Sequence, residues 1–385
     1  MKLVSLCLAV LLLLTGCAQS AEPALDAEPT VPAPTETEAV TEETVPPTTE
    51  PIDPLVALLN MMPTEYKVGQ LFLARCPAEN AVEDIKTYHL GGYVLFGRDF
   101  EGQTPDSIVQ TLSQYQLASP IPLLIAVDEE GGTVCRVSGN PAFRKERFAS
   151  PRNLYLSGGM DAVLAAEREK AELLASLGIN VNLAPVCDIT QKLSSFLYSR
   201  SLGQSPEITG TFAAGAIAIM KEHRVGGMLK HFPGYGNNAD THFGIATDDR
   251  PLEQLESCDL IPFQMGIDAG CSAIMMSHNI VTALDEELPA SLSPAVHTYL
   301  RETMGFDGVI ATDDLDMGAI TETYGPEEAA VLAVLAGNDL LCCTEYAVQY
   351  QAVLDAVESE RIPMEMLDTA VMRVLRWKQS LGLLY

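Results

Sequence analysis

Basic residues are scarce in this chain. Of 385 residues only 23 are Lys or Arg, against 52 Asp or Glu, for a formal net charge of −29. No run of more than two consecutive Lys or Arg occurs anywhere. A phosphate backbone would be repelled rather than neutralised, so nucleic acid is excluded as an expected partner. Charged residues make up only 19% of the chain and apolar ones 47%, which is enough to bury a sizeable core. The chain also lacks any CxxC pair and any internal repeat of recognisable period. Neither a zinc site nor a disulfide framework is therefore indicated, and no metal or cofactor is expected. Nine cysteines are present. Apart from Cys7 and Cys17 these are Cys76, Cys135, Cys187, Cys258, Cys271, Cys342 and Cys343, and Cys76, Cys187, Cys342 and Cys343 sit in or beside apolar runs, as buried structural cysteines do.

The N-terminus has the organisation of an export signal. Met1-Lys2 is followed by an apolar run over residues 3–14, too short for the ~20 residues of a membrane-spanning helix. The run ends in Leu14-Thr15-Gly16-Cys17, which resembles the lipobox of bacterial lipoproteins. That resemblance implies cleavage before Cys17, acylation of its thiol and new amine, and an extracytoplasmic protein held to the cell membrane by lipid. Residues 18–53 follow, rich in Pro, Thr, Ala and Glu, without an aromatic or basic residue. Such a segment cannot bury enough apolar surface to offset its ordering entropy, so a disordered, extended spacer is expected there.

From residue 54 to the end the texture changes. Eight short apolar runs, at 68–75, 91–96, 122–127, 180–186, 226–231, 272–277, 308–312 and 338–342, read as strands. Their hydrophobicity is continuous rather than alternating, as in a parallel sheet buried on both faces. Amphipathic helices lie between several of them, most clearly at 161–177 with Gly178 as a stop, and a last helix is expected at 364–381. Eight β/α units predict a TIM barrel, with an open doubly wound sheet as the alternative. Polar residues favour the barrel. Arg98-Asp99, Asp128-Glu129-Glu130, Asp188, Lys230-His231, His278 and Asp313-Asp314 all fall just past the ends of runs, and a barrel gathers such ends around one mouth. A single catalytic domain over residues 54–385, acting as a monomer, is the expectation.

Three segments carry the chemistry. The first is Lys230-His231-Phe232-Pro233-Gly234-Tyr235-Gly236-Asn237-Asn238-Ala239-Asp240-Thr241-His242, a Gly-rich loop after a strand. Asp240 and His242, two residues apart, form a dyad if the loop bends them together. The same residues also fit a loop histidine tied down by its neighbour, or a metal site with His231. The second is Gly308-Val309-Ile310-Ala311-Thr312-Asp313-Asp314-Leu315-Asp316, a strand running into carboxylates of the kind a retaining glycosidase uses as nucleophile. Spacing does not choose among Asp313, Asp314 and Asp316. The third is Asp128-Glu129-Glu130-Gly131-Gly132-Thr133-Val134-Cys135-Arg136.

Together these resemble the motifs of glycoside hydrolase family 3 β-N-acetylglucosaminidases, in the family's order and over nearly all of residues 54–385. The resemblance implies that His242 is the acid/base, Asp240 its partner and Asp313 the nucleophile. It implies that Asp128, Arg136, Arg200, Lys230 and His231 contact sugar hydroxyls, and His278, at the end of the sixth run, is expected to line the pocket with them. Tyr235 stands where many relatives have His. The implied substrate is an N-acetylglucosamine-containing glycan of the kind released in peptidoglycan turnover, with a β-glucosidase or phosphorylase and a non-catalytic glycan-binding lipoprotein as the rival readings.

Overall fold

A computed structural model describes residues 53–236, 238–241 and 244–385. The signal segment 1–17 with Cys17, and the spacer 18–53 up to its last residue, lie outside the described residues, as does His242.

Eight strands form one parallel sheet: β1 (Phe72–Arg75), β2 (Gly92–Leu95), β3 (Leu124–Val127), β4 (Val181–Asn182), β5 (Gly226–Phe232), β6 (Ala273–Met276), β7 (Val309–Thr312) and β8 (Leu341–Cys343). Each strand from β1 to β6 pairs with the next in parallel, and β1 pairs with β8 in parallel. A parallel bridge between Ala311 and Leu340 brings β7 against the start of β8 and nearly closes the ring. This is the expected (β/α)8 barrel, with helices such as Pro206–Glu222 and Pro326–Ala336 outside it.

Two apolar layers follow from the alternation of side chains along each strand. Leu73, Val94, Leu124, Ala126, Val181, Met228, Met275, Val309 and Cys342 point inward and fill the barrel, and Phe72, Tyr93, Ile125, Leu229, Ile274 and Ile310 point outward under the helices. Val374, Trp377 and Leu381, from and just past the C-terminal helix Met364–Ser380, join the inner layer. That helix therefore plugs the end of the barrel opposite the mouth. Its fit depends on Gly226 at the start of β5, where a β-carbon would stand 2.8 Å from the Trp377 ring.

Local differences from the expected elements have physical causes. The run 68–75 is half helix: Thr64–Gln70 is helical and only Phe72–Arg75 is strand. Lys67 to Gln70 are all buried, and continuous burial does not distinguish a buried helix from a strand. The run 180–186 yields only Val181–Asn182 as strand, because Pro185 has no N–H to give the ladder, and pairing resumes at a lone bridge from Val186 to Lys230. The helix expected at 161–177 is the second part of Pro151–Ser176, which bends at Gly158 and Gly159. Its N-terminus is capped by Ser150, whose hydroxyl accepts from the Asn153 N–H at 3.3 Å. The free thiols of Cys76, Cys187, Cys342 and Cys343 are all buried.

Candidate active site

A cavity of about 770 Å³ opens at the C-terminal ends of the strands, where a (β/α)8 barrel carries its chemistry. Asp128, Arg136, Arg200, Lys230, His231 and Asp313 all line it.

The wall at β3, β4 and β5 is a charged network. Lys230 is 2% exposed and donates to Asp128 Oδ1 at 2.7 Å, with Glu130 Oε1 at 2.6 Å. Arg200 donates to Glu130 through Nε at 2.9 Å and NH2 at 2.7 Å, a bidentate pair. Arg136 reaches Asp128 Oδ2 at 3.4 Å. Burial opposes the Glu130 charge, but Arg200 and Lys230 outweigh it and hold the carboxyl well below its ordinary range. Burial likewise opposes the Lys230 charge, and Asp128 and Glu130 outweigh burial so that its ammonium is held above its usual value. The network therefore presents fixed charges to a substrate.

Two consecutive residues of one strand reach the same cavity because β5 is irregular. Its register against β6 shifts between Leu229 and Phe232. That break in alternation lets both Lys230 and His231 line the mouth. Asp188, after β4, holds His231 in place. Its Oδ2 accepts from the His231 backbone N–H at 3.0 Å and stands 2.7 Å from Nδ1, while Oδ1 accepts from the Tyr235 N–H at 2.9 Å. The Nδ1 proton points at Asp188, which leaves Nε2 toward Arg200 NH2, 3.4 Å away.

On the facing side β7 ends in three carboxylates that differ in what they do. Asp316 Oδ2 accepts from the Thr344 and Glu345 N–H groups at 2.8 and 2.9 Å, clamping the turn after β8. Asp314 accepts from the Asp316 N–H at 3.0 Å and lies 3.2 Å from the Thr344 hydroxyl. Asp313 accepts from the Asp314 N–H at 2.9 Å and its side chain borders the cavity. Burial alone would raise the Asp313 pKa. His231, His278, the Asp314 N–H and Lys230 together bring it below the ordinary carboxylate value. Asp314 goes the other way: burial and the charges of Asp316 and Asp313 push it up to about 6. Adjacent carboxyl groups with separated pKa values can divide ionised and neutral roles between them.

His278 is not among the residues lining the cavity. It is wholly buried, with Nδ1 2.7 Å from the Ser291 hydroxyl and Nε2 3.0 Å from the Asp314 carbonyl oxygen. It supports the turn that carries Asp313 and Asp314. Asp240 is half-buried beyond β5. Between it and His242 stands Thr241, wholly buried, whose hydroxyl lies 2.6 Å from Tyr235 Oη. Tyr235 thus pins the loop one residue from each member of the expected dyad.

Reading the sequence did not assign roles to Glu130, Asp188, Arg75 or Phe96. For Glu130 a signal was present, since it stands in the same Asp-Glu-Glu-Gly-Gly segment as Asp128. Asp188 stood at a strand end. Arg75 and Phe96 offered no pattern that separated them from ordinary strand residues.

Residues 63–377 match the glycosyl hydrolase family 3 N terminal domain. A protein of Xanthomonas oryzae pv. oryzae named Beta-hexosaminidase is 34% identical over 306 residues, which cover 76% of this chain and 86% of that protein. Among solved structures, a glycoside hydrolase family 3 β-N-acetylglucosaminidase from a Paenibacillus species superposes with a TM-score of 0.79 and 33% identity over 84% of this chain. The match spans 63% of that longer protein. A glycosyl hydrolase of the same family from Mycobacterium smegmatis superposes with a TM-score of 0.76 and 30% identity, over 83% of this chain and 98% of the other.

Proposed function

The chain belongs to glycoside hydrolase family 3 and is a hydrolase of the β-N-acetylglucosaminidase type; from that premise we propose that it removes terminal β-linked N-acetylglucosamine from peptidoglycan-type fragments by a retaining mechanism on Asp313. The observation that carries this reading is the division of labour among the three carboxylates after β7. All three border the cavity, but Asp314 and Asp316 commit oxygens to the turn after β8, whereas Asp313 is held below the ordinary carboxylate value and so in its ionised form. A carboxylate nucleophile has to be charged and open to the anomeric carbon.

Two steps follow. An Asp313 oxygen attacks the anomeric carbon, and the bond to the leaving oxygen breaks as His242 gives that oxygen a proton. Water then attacks the same carbon, passes a proton to His242, and the ester bond to Asp313 breaks. Asp240 orients the imidazole in both steps. A histidine has an ordinary pKa of ~6.5, so it donates and accepts near neutral pH without the deep burial a carboxylic acid would need. The network of Asp128, Lys230, Glu130 and Arg200 holds sugar hydroxyls by donors and acceptors already fixed in the folded protein. An acyl anchor on Cys17 and the spacer 18–53 would set this barrel outside the membrane, where cell-wall glycans are.

The test compares nitrophenyl β-N-acetylglucosaminide with the β-glucoside. The acetamido sugar is expected to be cleaved selectively. Asp313→Asn is expected to lose more than ~10³-fold in kcat, as removal of a covalent nucleophile does. Undiminished turnover in that variant refutes the nucleophile, and preference for the glucoside refutes the substrate.

A further inference from the structure

The Glu130–Arg200 pair of the sugar wall joins two loops, and both loops rest on the helix Pro151–Ser176. Lys170 of that helix, 1% exposed, donates to the Glu130 carbonyl oxygen at 2.7 Å. It also donates to Glu167 Oε1, one turn before it, at 2.6 Å. The Glu130 backbone is therefore gripped by a cation whose charge is balanced within the helix. At the N-terminus of the same helix, Arg152 reaches the other loop. Through one terminal nitrogen it donates to the Thr190 carbonyl oxygen at 2.7 Å and to the Ser201 hydroxyl at 3.1 Å.

Those two contacts bracket the loop that carries Arg200. Thr190 lies two residues past Asp188, which orients His231, and Ser201 directly follows Arg200. Residues 189–205 contain no helix or strand, so no ladder of backbone bonds fixes the path between them. The Arg152 side chain supplies the missing support. Its guanidinium carbon is 4.0 Å from the Tyr198 ring centroid, so the aromatic face lies over the fork. The chain then passes so close that a β-carbon at Gly203 would overlap the guanidinium.

Stability does not account for a cation in this place. Arg152 is the second residue of its helix, where the free N–H groups already carry partial positive charge. It is 7% exposed, forms no ion pair among the described residues, and its Nε is buried without a hydrogen-bond partner. A guanidinium so placed costs free energy. Lys230 and Arg200, a short way above it, each have a carboxylate. We propose that Arg152 is a positioning residue for sugar binding: it sets the loop from Thr190 to Ser201 so that Arg200 meets Glu130 in its bidentate grip and keeps its remaining donors toward the cavity. The inference rests on the function proposed above and deepens it, by naming the group that aims a substrate-holding arginine.

The experiment is a double-mutant cycle in kcat/KM on the full chain, read on whichever nitrophenyl β-glycoside the wild type cleaves best. Arg152→Met keeps the bulk and removes the donors. It should lower kcat/KM about tenfold, chiefly through KM, as displacement of a substrate-holding group does. Arg152→Lys should recover part of the loss, since an ammonium supplies the donor but does not lie flat on Tyr198. Ser201→Ala removes one of the two bonds and should lower kcat/KM about threefold. In an Arg200→Gln background both Arg152→Met and Ser201→Ala should fall to an effect of about twofold or less, because the group they place is gone. Each variant is assayed at a temperature where urea unfolding shows it fully folded, and if Arg152→Met does not fold, Ser201→Ala carries the cycle. Equal losses in both backgrounds, which a merely structural role predicts, overturn the proposal, as does an unchanged kcat/KM in Arg152→Met. A wild type that prefers the glucoside overturns the substrate proposed above and leaves the cycle readable. One that cleaves neither glycoside overturns the proposed function and this inference with it.

Discussion

Lys378 offers a test of the fold that is independent of the active site. It lies on the C-terminal helix, is wholly buried, and donates to Gln70 Oε1 at 2.6 Å. Gln70 is held in turn by donating to the His89 carbonyl at 2.9 Å. Among the described residues no carboxylate compensates the ammonium, and burial pushes its pKa from 10.5 down to about 7. Between those two values the unfolded chain binds more protons than the folded one, so stability rises with pH across that window. The charged form is fully penalised below pH 7, by roughly 5 kcal/mol for a shift of this size at ~1.36 kcal/mol per pH unit. Lys378→Met conserves volume and removes the charge, but leaves Gln70 Oε1 without its donor at a cost of about 1–3 kcal/mol. The variant should therefore be more stable than wild type at pH 6, by roughly 2–4 kcal/mol. That advantage should shrink by about 3 kcal/mol when the comparison is repeated at pH 9.5, where the wild-type lysine is released from most of its penalty. Urea unfolding at the two pH values measures both differences. A stability difference that does not change with pH would refute the reasoning, since it would mean that Lys378 is not the buried cation described here.

Three further outcomes follow from named contacts. Gly226→Ala puts a methyl group 2.8 Å from the Trp377 ring and should cost about 1–3 kcal/mol in urea unfolding, with part recovered when Trp377→Leu is added. Tyr235→Phe removes the 2.6 Å contact with the Thr241 hydroxyl, and should lower kcat on the nitrophenyl substrate several-fold while raising amide hydrogen exchange in the loop around residue 241. Lys230→Met leaves Asp128 and Glu130 facing each other without the ammonium between them, and should destabilise the fold by about 3–5 kcal/mol in addition to abolishing turnover.

The barrel was legible because its information is local. Eight apolar runs, six of them ending at charged or histidine residues, define strands and a mouth without any knowledge of pairing. What failed was local too. At Val68 the run of buried residues begins in a helix, because a chain buried on all sides shows no periodicity to read. The charged wall was partly legible, since Asp128, Arg200, Lys230 and His231 stand in recognisable segments. Their couplings were not. Glu130 bonds residues 70 and 100 positions away, and Asp188 orients a histidine 43 positions on. Such pairings depend on which strand ends face each other across the barrel. Arg75 and Phe96 were invisible for the same reason, being ordinary until two neighbouring strands place one over the other.

The arrangement also explains how so acidic a chain keeps cations at a pocket lined by Asp128, Asp313, Asp314 and Asp316. Each cation of the sugar wall has a fixed counter-charge: Lys230 has Asp128 and Glu130, and Arg200 has Glu130 in a bidentate grip. A cation so fixed keeps its remaining donors aimed at the cavity, and its desolvation is already met in the folded state. Asp313 sits across from that wall and owes its depressed pKa partly to Lys230 and His231. In the proposed function the groups that hold the sugar therefore also keep the nucleophile charged. Removing a positive charge from the wall should raise the acid limb of the pH–rate profile as well as KM, which separates this coupling from simple loss of a binding contact.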